Sequence, residues 1–257
     1  MAKIFESHAH YEDEAFDDDR EQLLASLPEN NIEYVVDVGS SVATCKRISQ
    51  MVMEYDFLYG ALGIHPSEIR GVTDADLNLI KNEIINNPKI VAVGEIGLDY
   101  YWDKDNKKEQ QDFFVKQIEI AKELAKPVII HSRDAAYDTY ELMKSSDAGK
   151  CGGVVHCFSY SVEEARKYID MGFYIGLGGV VTFKNAAKAK EVAAYVPADR
   201  LLLETDCPYM APEPFRGKRN SSLYIPEIAR RIAEIKGMEY EEVIEITNKN
   251  ARGMYRL

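Results

Sequence analysis

The 257-residue chain is 46% hydrophobic and 29% charged, a balance that excludes a disordered or collagen-like polypeptide. Its 31 basic and 43 acidic residues leave a net charge of −12, which argues against a protein that coats nucleic acid by general electrostatic attraction. A barrel of this length commonly forms one undivided unit, so we expect a single domain over residues 1–257.

The sequence carries no pattern typical of secretion or membrane insertion. Its first ten residues, MAKIFESHAH, lack the apolar stretch of a signal peptide, and no later segment reaches the ~18 apolar residues of a membrane span. The four cysteines show neither CxxC spacing nor the density of a disulfide scaffold. We therefore expect a cytoplasmic protein with reduced thiols and no membrane partner, and a monomer is compatible with these features.

Eight short apolar segments recur along the chain and are predicted to be β-strands. They are residues 4–5, 34–38, 58–63, 90–94, 128–130, 154–155, 174–177 and 201–203. Most are continuous apolar runs, which are typical of parallel strands covered on both faces. Helical periodicity lies between them, as at 111–125, and two more helices are predicted at 225–235 and 241–246. The alternation predicts an α/β fold, and eight units favour a closed (β/α)8 TIM barrel over a doubly wound sheet.

The chain has five histidines, and each lies near the C-terminal end of a predicted strand. They are His8, His10, His65, His131 and His156. Barrel enzymes assemble their active sites at this face, so the distribution predicts a site there. His8 and His10 are two residues apart on a strand, so both imidazoles point to the same side, as two ligands of one metal ion would. A structural role is about as common for such a pair alone, and the other three histidines favour the metal.

Two carboxylates end predicted strands on the same face. Glu95 ends the fourth strand and Asp206 follows the eighth. One carboxylate can bridge two cations, and a second can both bind a metal ion and accept a proton from its water. Each could singly begin or cap a helix instead. Together with the histidines, they predict a metal-dependent hydrolytic site in which Glu95 and Asp206 are catalytic.

These residues lie in seven motifs that occur in a fixed order. The motifs are SHAH, GIHPSE, GEIGLDYYWD, IHSRDA, HCFSYS, ETDCPY and RGKRN. In this order they resemble the TatD family of metal-dependent deoxyribonucleases, within the amidohydrolase superfamily, from residue 4 to about residue 250. The resemblance implies a site for two divalent cations, Mg, Mn or Zn, held by six residues. They are His8, His10, Glu95, His131, His156 and Asp206.

The resemblance also implies how these ligands divide between the two cations. His8, His10 and Asp206 would bind the first ion. His131 and His156 would bind the second, and the Glu95 carboxylate would bridge the two ions. Histidine-rich coordination suits zinc, manganese or nickel better than magnesium, whereas the resemblance implies nuclease activity supported by magnesium.

Seven residues on this face are predicted to contact the substrate. They are His65, Tyr100, Trp102, Arg133, Arg216, Lys218 and Arg219. The basic run 216–219 stands out in an acidic protein and could grip a phosphate group. The aromatic residues after the fourth strand could stack an unpaired base, a contact worth roughly 1–3 kcal/mol. An ordinary exposed loop and ordinary core packing are the alternatives for these two motifs.

The chain departs from the family pattern at two places. Glu6 stands where the family commonly has aspartate, and Ser221 and Ser222 follow RGKRN where an acidic residue and a proline are usual. Neither departure removes a predicted ligand. Separately, the acidic run 12–21 is predicted to be the solvated first turn of a helix.

The combined pattern predicts a hydrolase that cleaves phosphodiester bonds in DNA or oligonucleotides, in the manner of a TatD-type 3′–5′ exonuclease with a metal-activated water. The alternative is a hydrolase of the same superfamily that acts on a small amide or ester, because the same water can attack a carbonyl carbon. A binding protein that retains the metal site without turnover is a third interpretation, which the complete ligand set disfavours.

Overall fold

The computed structural model describes residues 2–257, in which eight parallel strands pair in chain order. The strands are β1 (Ile4–Ala9), β2 (Ile32–Val38), β3 (Leu58–Leu62), β4 (Ile90–Asp99), β5 (Val128–Arg133), β6 (Gly153–Val155), β7 (Tyr174–Leu177) and β8 (Leu201–Leu203). The N–H of His10 donates to the carbonyl of Cys207 at 2.9 Å, and the N–H of Asp206 donates to that of His8 at 3.0 Å. These bonds join the first strand to the segment after the eighth and confirm the predicted (β/α)8 TIM barrel.

A helix follows each strand, and a ninth helix ends the chain. The helices are α1 (Arg20–Ser26), α2 (Val42–Met51), α3 (Asp74–Asn86), α4 (Lys107–Glu123), α5 (Ala136–Ser145), α6 (Val162–Asp170), α7 (Ala187–Tyr195), α8 (Ile225–Lys236) and α9 (Tyr240–Tyr255). Between residues 2 and 257, no helix has the length and apolar character that crossing a bilayer requires.

The predicted end of the last helix, residue 246, is wrong because polar residues continue its buried face. Thr247 and Asn250 are both buried in α9. The Thr247 hydroxyl donates to the carbonyl of Val243 within the helix, at 2.7 Å. The Asn250 amide donates to the carbonyls of Ala198 and Leu201 at 2.8 and 2.9 Å. A pattern search for apolar residues alone does not detect such a face.

The N-terminal end of the barrel is filled, so the C-terminal end is the one that remains available for a site. Alternate residues of the strands point inward, including Phe5, Val36 and Ile129, and form one apolar cluster. Helix α9 adds Tyr255, whose ring stacks on Phe5 at 5.7 Å and whose hydroxyl donates to the carbonyl of Ser7 at 2.8 Å. The packing of α9 therefore closes this end of the barrel.

A buried glutamine fixes the chain just after β3, next to His65. Gln117 in α4 is 2% exposed. Its Oε1 accepts the N–H of Ile64 at 2.7 Å, and its Nε2 donates to the Ile64 carbonyl at 3.1 Å. One side chain thus pairs both backbone groups of the residue that precedes His65.

We expect Gln117→Ala to lower the free energy of unfolding by about 2–4 kcal/mol, because two buried backbone groups lose their partners. The exposed Gln50→Ala in α2 is the matched control, with an expected change below about 0.5 kcal/mol. Urea unfolding of both variants measures the difference. Equal stability of the two variants would contradict this role.

Candidate metal centre

The six predicted ligands converge at the C-terminal mouth of the barrel, around Glu95. This residue lies in β4, and only 4% of it is exposed. Its two carboxylate oxygens face different sets of side chains. The other five residues therefore divide into two groups, one beside Oε2 and one beside Oε1.

The group beside Oε2 consists of His8, His10 and Asp206. The Nε2 atoms of His8 and His10 lie 3.5 and 3.6 Å from Glu95 Oε2, and 3.1 Å from each other. Asp206 Oδ1 lies 3.6 Å from His8 Nε2 and 3.3 Å from His10 Nε2. Four donors placed about 2.0 Å from a zinc ion would be separated by ~3.3 Å. The donor set therefore fits a divalent cation.

The group beside Oε1 consists of His131 and His156. His131 Nδ1 and His156 Nε2 lie 2.8 and 2.7 Å from Glu95 Oε1 and 3.4 Å from each other. A second cation would find two imidazole nitrogens and a carboxylate oxygen here. The structure thus brings together all six residues in the division expected from the sequence, and their function as ligands remains a prediction.

His65 lies beside this second group and is suited to donate a hydrogen bond. Its Nε2 is 3.6 Å from Glu95 Oε1. Its Nδ1 accepts the N–H of Ser67 at 3.1 Å. Burial and His131 lower its pKa to about 3, so the ring is neutral and its one proton sits on Nε2. That geometry favours the predicted role of orienting substrate over metal binding.

Two of the predicted ligands contact an oxygen on the side of the ring that faces away from Glu95. His10 Nδ1 contacts the carbonyl of Val38 at 2.7 Å, and His131 Nε2 contacts Asp99 Oδ2 at 3.1 Å. Such partners fix the tautomer and orientation of a metal-binding imidazole. They leave the nitrogen that faces Glu95 free to bind a cation.

Asp99 contacts a predicted ligand, although the sequence pattern did not single it out. It ends β4, and 1% of it is exposed. Besides His131, it accepts the backbone N–H groups of Tyr101 and Trp102 on Oδ1, at 2.9 and 3.0 Å. One carboxylate therefore connects a metal ligand to the aromatic loop. The sequence does contain an indication of this position. Asp99 lies four residues after Glu95, and residues i and i+4 of a strand share one face.

The pKa values of the predicted ligands determine where protons would compete with a cation at pH 7. Burial and the neighbouring His156 lower the pKa of His8 to about 4, so this ring is neutral at pH 7. Burial opposes charge on His131, yet hydrogen bonds to Asp99 and Glu95 raise its pKa to about 9. Burial would also raise the pKa of Glu95, but the surrounding histidines, His156 foremost, hold it well below its usual value.

The two departures from the family pattern meet in space. Glu6 is fully buried, and its Oε2 accepts the hydroxyls of Thr205 at 2.6 Å and Ser222 at 3.0 Å. Its Oε1 accepts the N–H groups of Thr205 at 2.9 Å and His8 at 3.2 Å. Burial raises the pKa of Glu6 to about 7 despite these bonds. The longer side chain thus links β1 to the segments that flank the loop after β8.

The acidic run 12–21 differs from the predicted solvated helix turn. A short 3-10 helix at Glu14–Phe16 precedes α1, which begins only at Arg20. Glu12 is 4% exposed, with Oε1 at 3.6 Å from His10 Nδ1. The periodicity could not show this because Glu12 belongs to the turn after β1, not to the helix.

The aromatic loop after β4 has one buried ring and two exposed rings. Tyr100 is 5% exposed, and its hydroxyl donates to Asp138 Oδ2 at 2.8 Å, so it offers no stacking surface. Tyr101 and Trp102 are 48% and 70% exposed. The Arg133 guanidinium lies 4.0 Å above the ring of Tyr101 and 5.6 Å from that of Trp102. The exposed aromatic surface of this loop is therefore formed by Tyr101 and Trp102, with the Arg133 guanidinium beside both rings.

The three basic residues of the run after β8 are all exposed, but they differ in their partners. Arg216 and Lys218 are exposed, with the Arg216 guanidinium 4.4 Å above the Phe183 ring. Arg219 instead forms a bidentate pair with Asp19, at 2.7 and 2.6 Å, and donates to the carbonyl of Ala15 at 2.7 Å. Its donors are engaged within the protein. Arg216 and Lys218 remain as the phosphate-binding candidates.

Comparison with known proteins gives matches over nearly the whole chain. Residues 5–256 match the family described as TatD related DNase. The uncharacterized metal-dependent hydrolase YabD of Bacillus subtilis (strain 168) is 46% identical over 99% of both chains. The corresponding protein YcfH of Escherichia coli (strain K12) is 36% identical over 99% of this chain and 96% of its own. The crystal structure of YjjV, a TatD homologue from Escherichia coli K12, superposes with a TM-score of 0.93 at 29% identity, covering 99% and 98% of the two chains.

We expect zinc binding at pH 7 to release protons, because the pKa of His131 is about 9 and that of His10 is also raised. The apparent affinity should rise between pH 6 and pH 8, since fewer protons then compete with the cation. Calorimetry in buffers of different ionisation enthalpy counts the protons released. His131→Ala should reduce that count, and a count of zero for the unmodified protein would contradict the assignment.

Proposed function

This chain belongs to the TatD-related DNase family of metal-dependent hydrolases, and from that premise we propose that it cleaves phosphodiester bonds in DNA as a 3′–5′ exonuclease that uses two divalent cations. The division of the Glu95 oxygens between two donor groups carries the proposal. Two adjacent cations bridged by one carboxylate suit phosphoryl transfer, in which the attacking and leaving oxygens both need positive charge beside them.

When bound, the cations would polarise the scissile phosphate and lower the pKa of the attacking water. The chain supplies the proton acceptor and a hydrogen-bond donor. Burial opposes charge on Asp206, but the hydrogen bond with His10 lowers its pKa, so Asp206 is ionised at pH 7 and can accept the water proton. The Nε2–H of His65 can donate to a non-bridging phosphate oxygen.

The exposed surface after β4 suits a base of a single strand. Bases stack on exposed aromatic rings without sequence preference. Trp102 offers such a ring, and Arg133 beside it adds a positive charge for the strand's phosphates. Both residues lie at the C-terminal end of the paired strands β4 and β5. Trp102 follows β4, which ends at Asp99, and Arg133 is the last residue of β5.

The exposed basic residues after β8 lie across the mouth from this surface, because β4 and β8 are four positions apart in a ring of eight strands. A DNA strand that extends from Trp102 over the candidate metal centre would reach Arg216 and Lys218. These two side chains would offset locally the repulsion that a chain with a net charge of −12 exerts on DNA.

A parallel assay tests the proposal against the small-substrate alternative. The metal-loaded protein is given single-stranded DNA with a 5′ label, bis-p-nitrophenyl phosphate, and a panel of amides and carboxylic esters. The proposal expects stepwise shortening of the labelled DNA from its 3′ end. Hydrolysis of the amides or carboxylic esters alone would support the alternative, and bound metal without any turnover would support a binding protein.

Asp206→Asn should lower kcat by roughly 10²-fold or more while KM changes much less, because asparagine keeps the size and one oxygen but cannot accept the proton. Metal content must be verified at each measurement. Asp134→Asn is the matched control, since this exposed residue has a φ of 53°, which asparagine also adopts. Normal turnover by metal-loaded Asp206→Asn would place the base elsewhere.

Replacement of both Arg216 and Lys218 by alanine should raise KM for oligonucleotides and flatten its salt dependence, because fewer counterions are released on binding. Hydrolysis of bis-p-nitrophenyl phosphate, which is too small to reach the loop, should hardly change. Arg219→Ala removes a charge from the same loop and is the control, since Asp19 already engages that guanidinium. A similar loss on both substrates would exclude phosphate binding by the pair.

A further inference from the structure

Two of the four histidines in the metal centre have a buried ring nitrogen without a hydrogen-bond partner among the described residues. These atoms are Nδ1 of His8 and Nδ1 of His156. The other two histidines each place the corresponding nitrogen against an oxygen. A neutral imidazole that binds a cation through Nε2 carries its proton on Nδ1, and a buried N–H needs an acceptor. Both histidines therefore require an acceptor that the cluster around Glu95 does not provide.

One carboxylate lies beside both rings. A ring nitrogen of His8, a ring nitrogen of His156 and a carboxylate oxygen of Glu204 lie within 4.8 Å of one another. Glu204 is fully buried, and within residues 2–257 its Oε2 has no hydrogen-bond partner. The two rings stack at 3.9 Å with 8° between their planes. Because both Nε2 atoms face Glu95, both Nδ1 edges face away from it.

Two neighbouring segments of the barrel hold the Glu204 side chain in this position. The N–H of Cys157, directly after His156, donates to Glu204 Oε1 and holds the carboxylate. On β7, a Cβ added to Gly176 would lie 2.4 Å from Glu204 Oε2, so a larger residue would displace the carboxylate. Neither the Cys157 hydrogen bond nor the small size of Gly176 is required by the side chains that face Glu95.

We propose that Glu204 is a positioning residue that accepts the Nδ1 protons of His8 and His156, directly or through one water molecule. It thereby fixes the tautomer in which both rings present Nε2 to the cations. One carboxylate would serve a ligand in each half of the centre and make the two halves interdependent. The inference concerns metal binding, so it does not depend on the substrate proposed above.

Zinc titration of Glu204→Gln tests this role. The amide keeps the volume but presents an N–H group where an acceptor is required, so zinc affinity should fall by about 10–100-fold. Asp99→Asn is the benchmark, because it alters the partner that His131 contacts in the structure. Glu6→Gln is the matched control, because Glu6 is equally buried and hydrogen-bonds only backbone N–H groups and hydroxyls.

A purely structural role predicts a different result. Loss of a structural carboxylate would lower the unfolding temperature of the metal-free protein, whereas loss of a positioning carboxylate lowers zinc affinity without that change. Ring-nitrogen NMR of the zinc-loaded protein gives a second readout: the Nδ1 protons of His8 and His156 should exchange faster with water in Glu204→Gln.

Gly176→Ala provides an independent variant that keeps the carboxylate but displaces it, and it should weaken zinc binding in the same direction. It also decides the matter if Glu204→Gln does not fold. Wild-type zinc affinity with unchanged Nδ1 signals in Glu204→Gln would overturn the proposal. An equal loss of affinity in Glu6→Gln would overturn it too, since any buried carboxylate would then have the same effect.

Discussion

The buried negative charge of Glu95 is the constraint on which the rest of the site depends. A carboxylate with so little contact with water is costly unless positive charge or hydrogen-bond donors surround it. Five imidazoles, those of His8, His10, His65, His131 and His156, each place a ring nitrogen within 3.6 Å of one of its two oxygens. Protons on the imidazoles satisfy part of this demand, and a divalent cation, with its greater charge, would satisfy it more fully. The suitability of the predicted site for a cation thus follows from where the fold buries one charge.

The close approach of β4 and β5 brings other side chains of the site near Glu95. The strand β4 runs beyond β3 on the C-terminal side and stays paired with β5 up to Asp99 and Arg133, so that Glu95 and Asp99 both lie at the mouth. Gly97 between them has a φ of 148°, and a Cβ there would lie 1.9 Å from the carbonyl oxygen of His131. Only glycine allows β4 and β5 to approach so closely. The approach places Asp99 against the outer nitrogen of His131, and the same carboxylate holds the aromatic loop.

Acidic and basic side chains occupy separate loops around the barrel mouth, which the net charge of −12 does not show. The acidic run after β1 and the basic run after β8 meet where Asp19 binds Arg219, so one basic residue serves to hold two loops together. Arg216 and Lys218 stay exposed in the loop after β8. An acidic protein can therefore offer a polyanion a favourable path at one face, since screening confines each exposed charge to about 10 Å.

The sequence by itself determined the barrel and predicted which six residues meet at its mouth, because both depend on local patterns: apolar runs at regular intervals, and histidines or carboxylates where those runs end. It could not determine which side chains are buried between elements. Tyr100 and Glu12 look like surface residues in the sequence but are buried, and the exposed Arg219 binds Asp19 from a distant segment. Asp99 and Glu204 look like ordinary strand-end acids. Their roles come from contacts across neighbouring strands, and only the closed ring of strands decides which residues share that space.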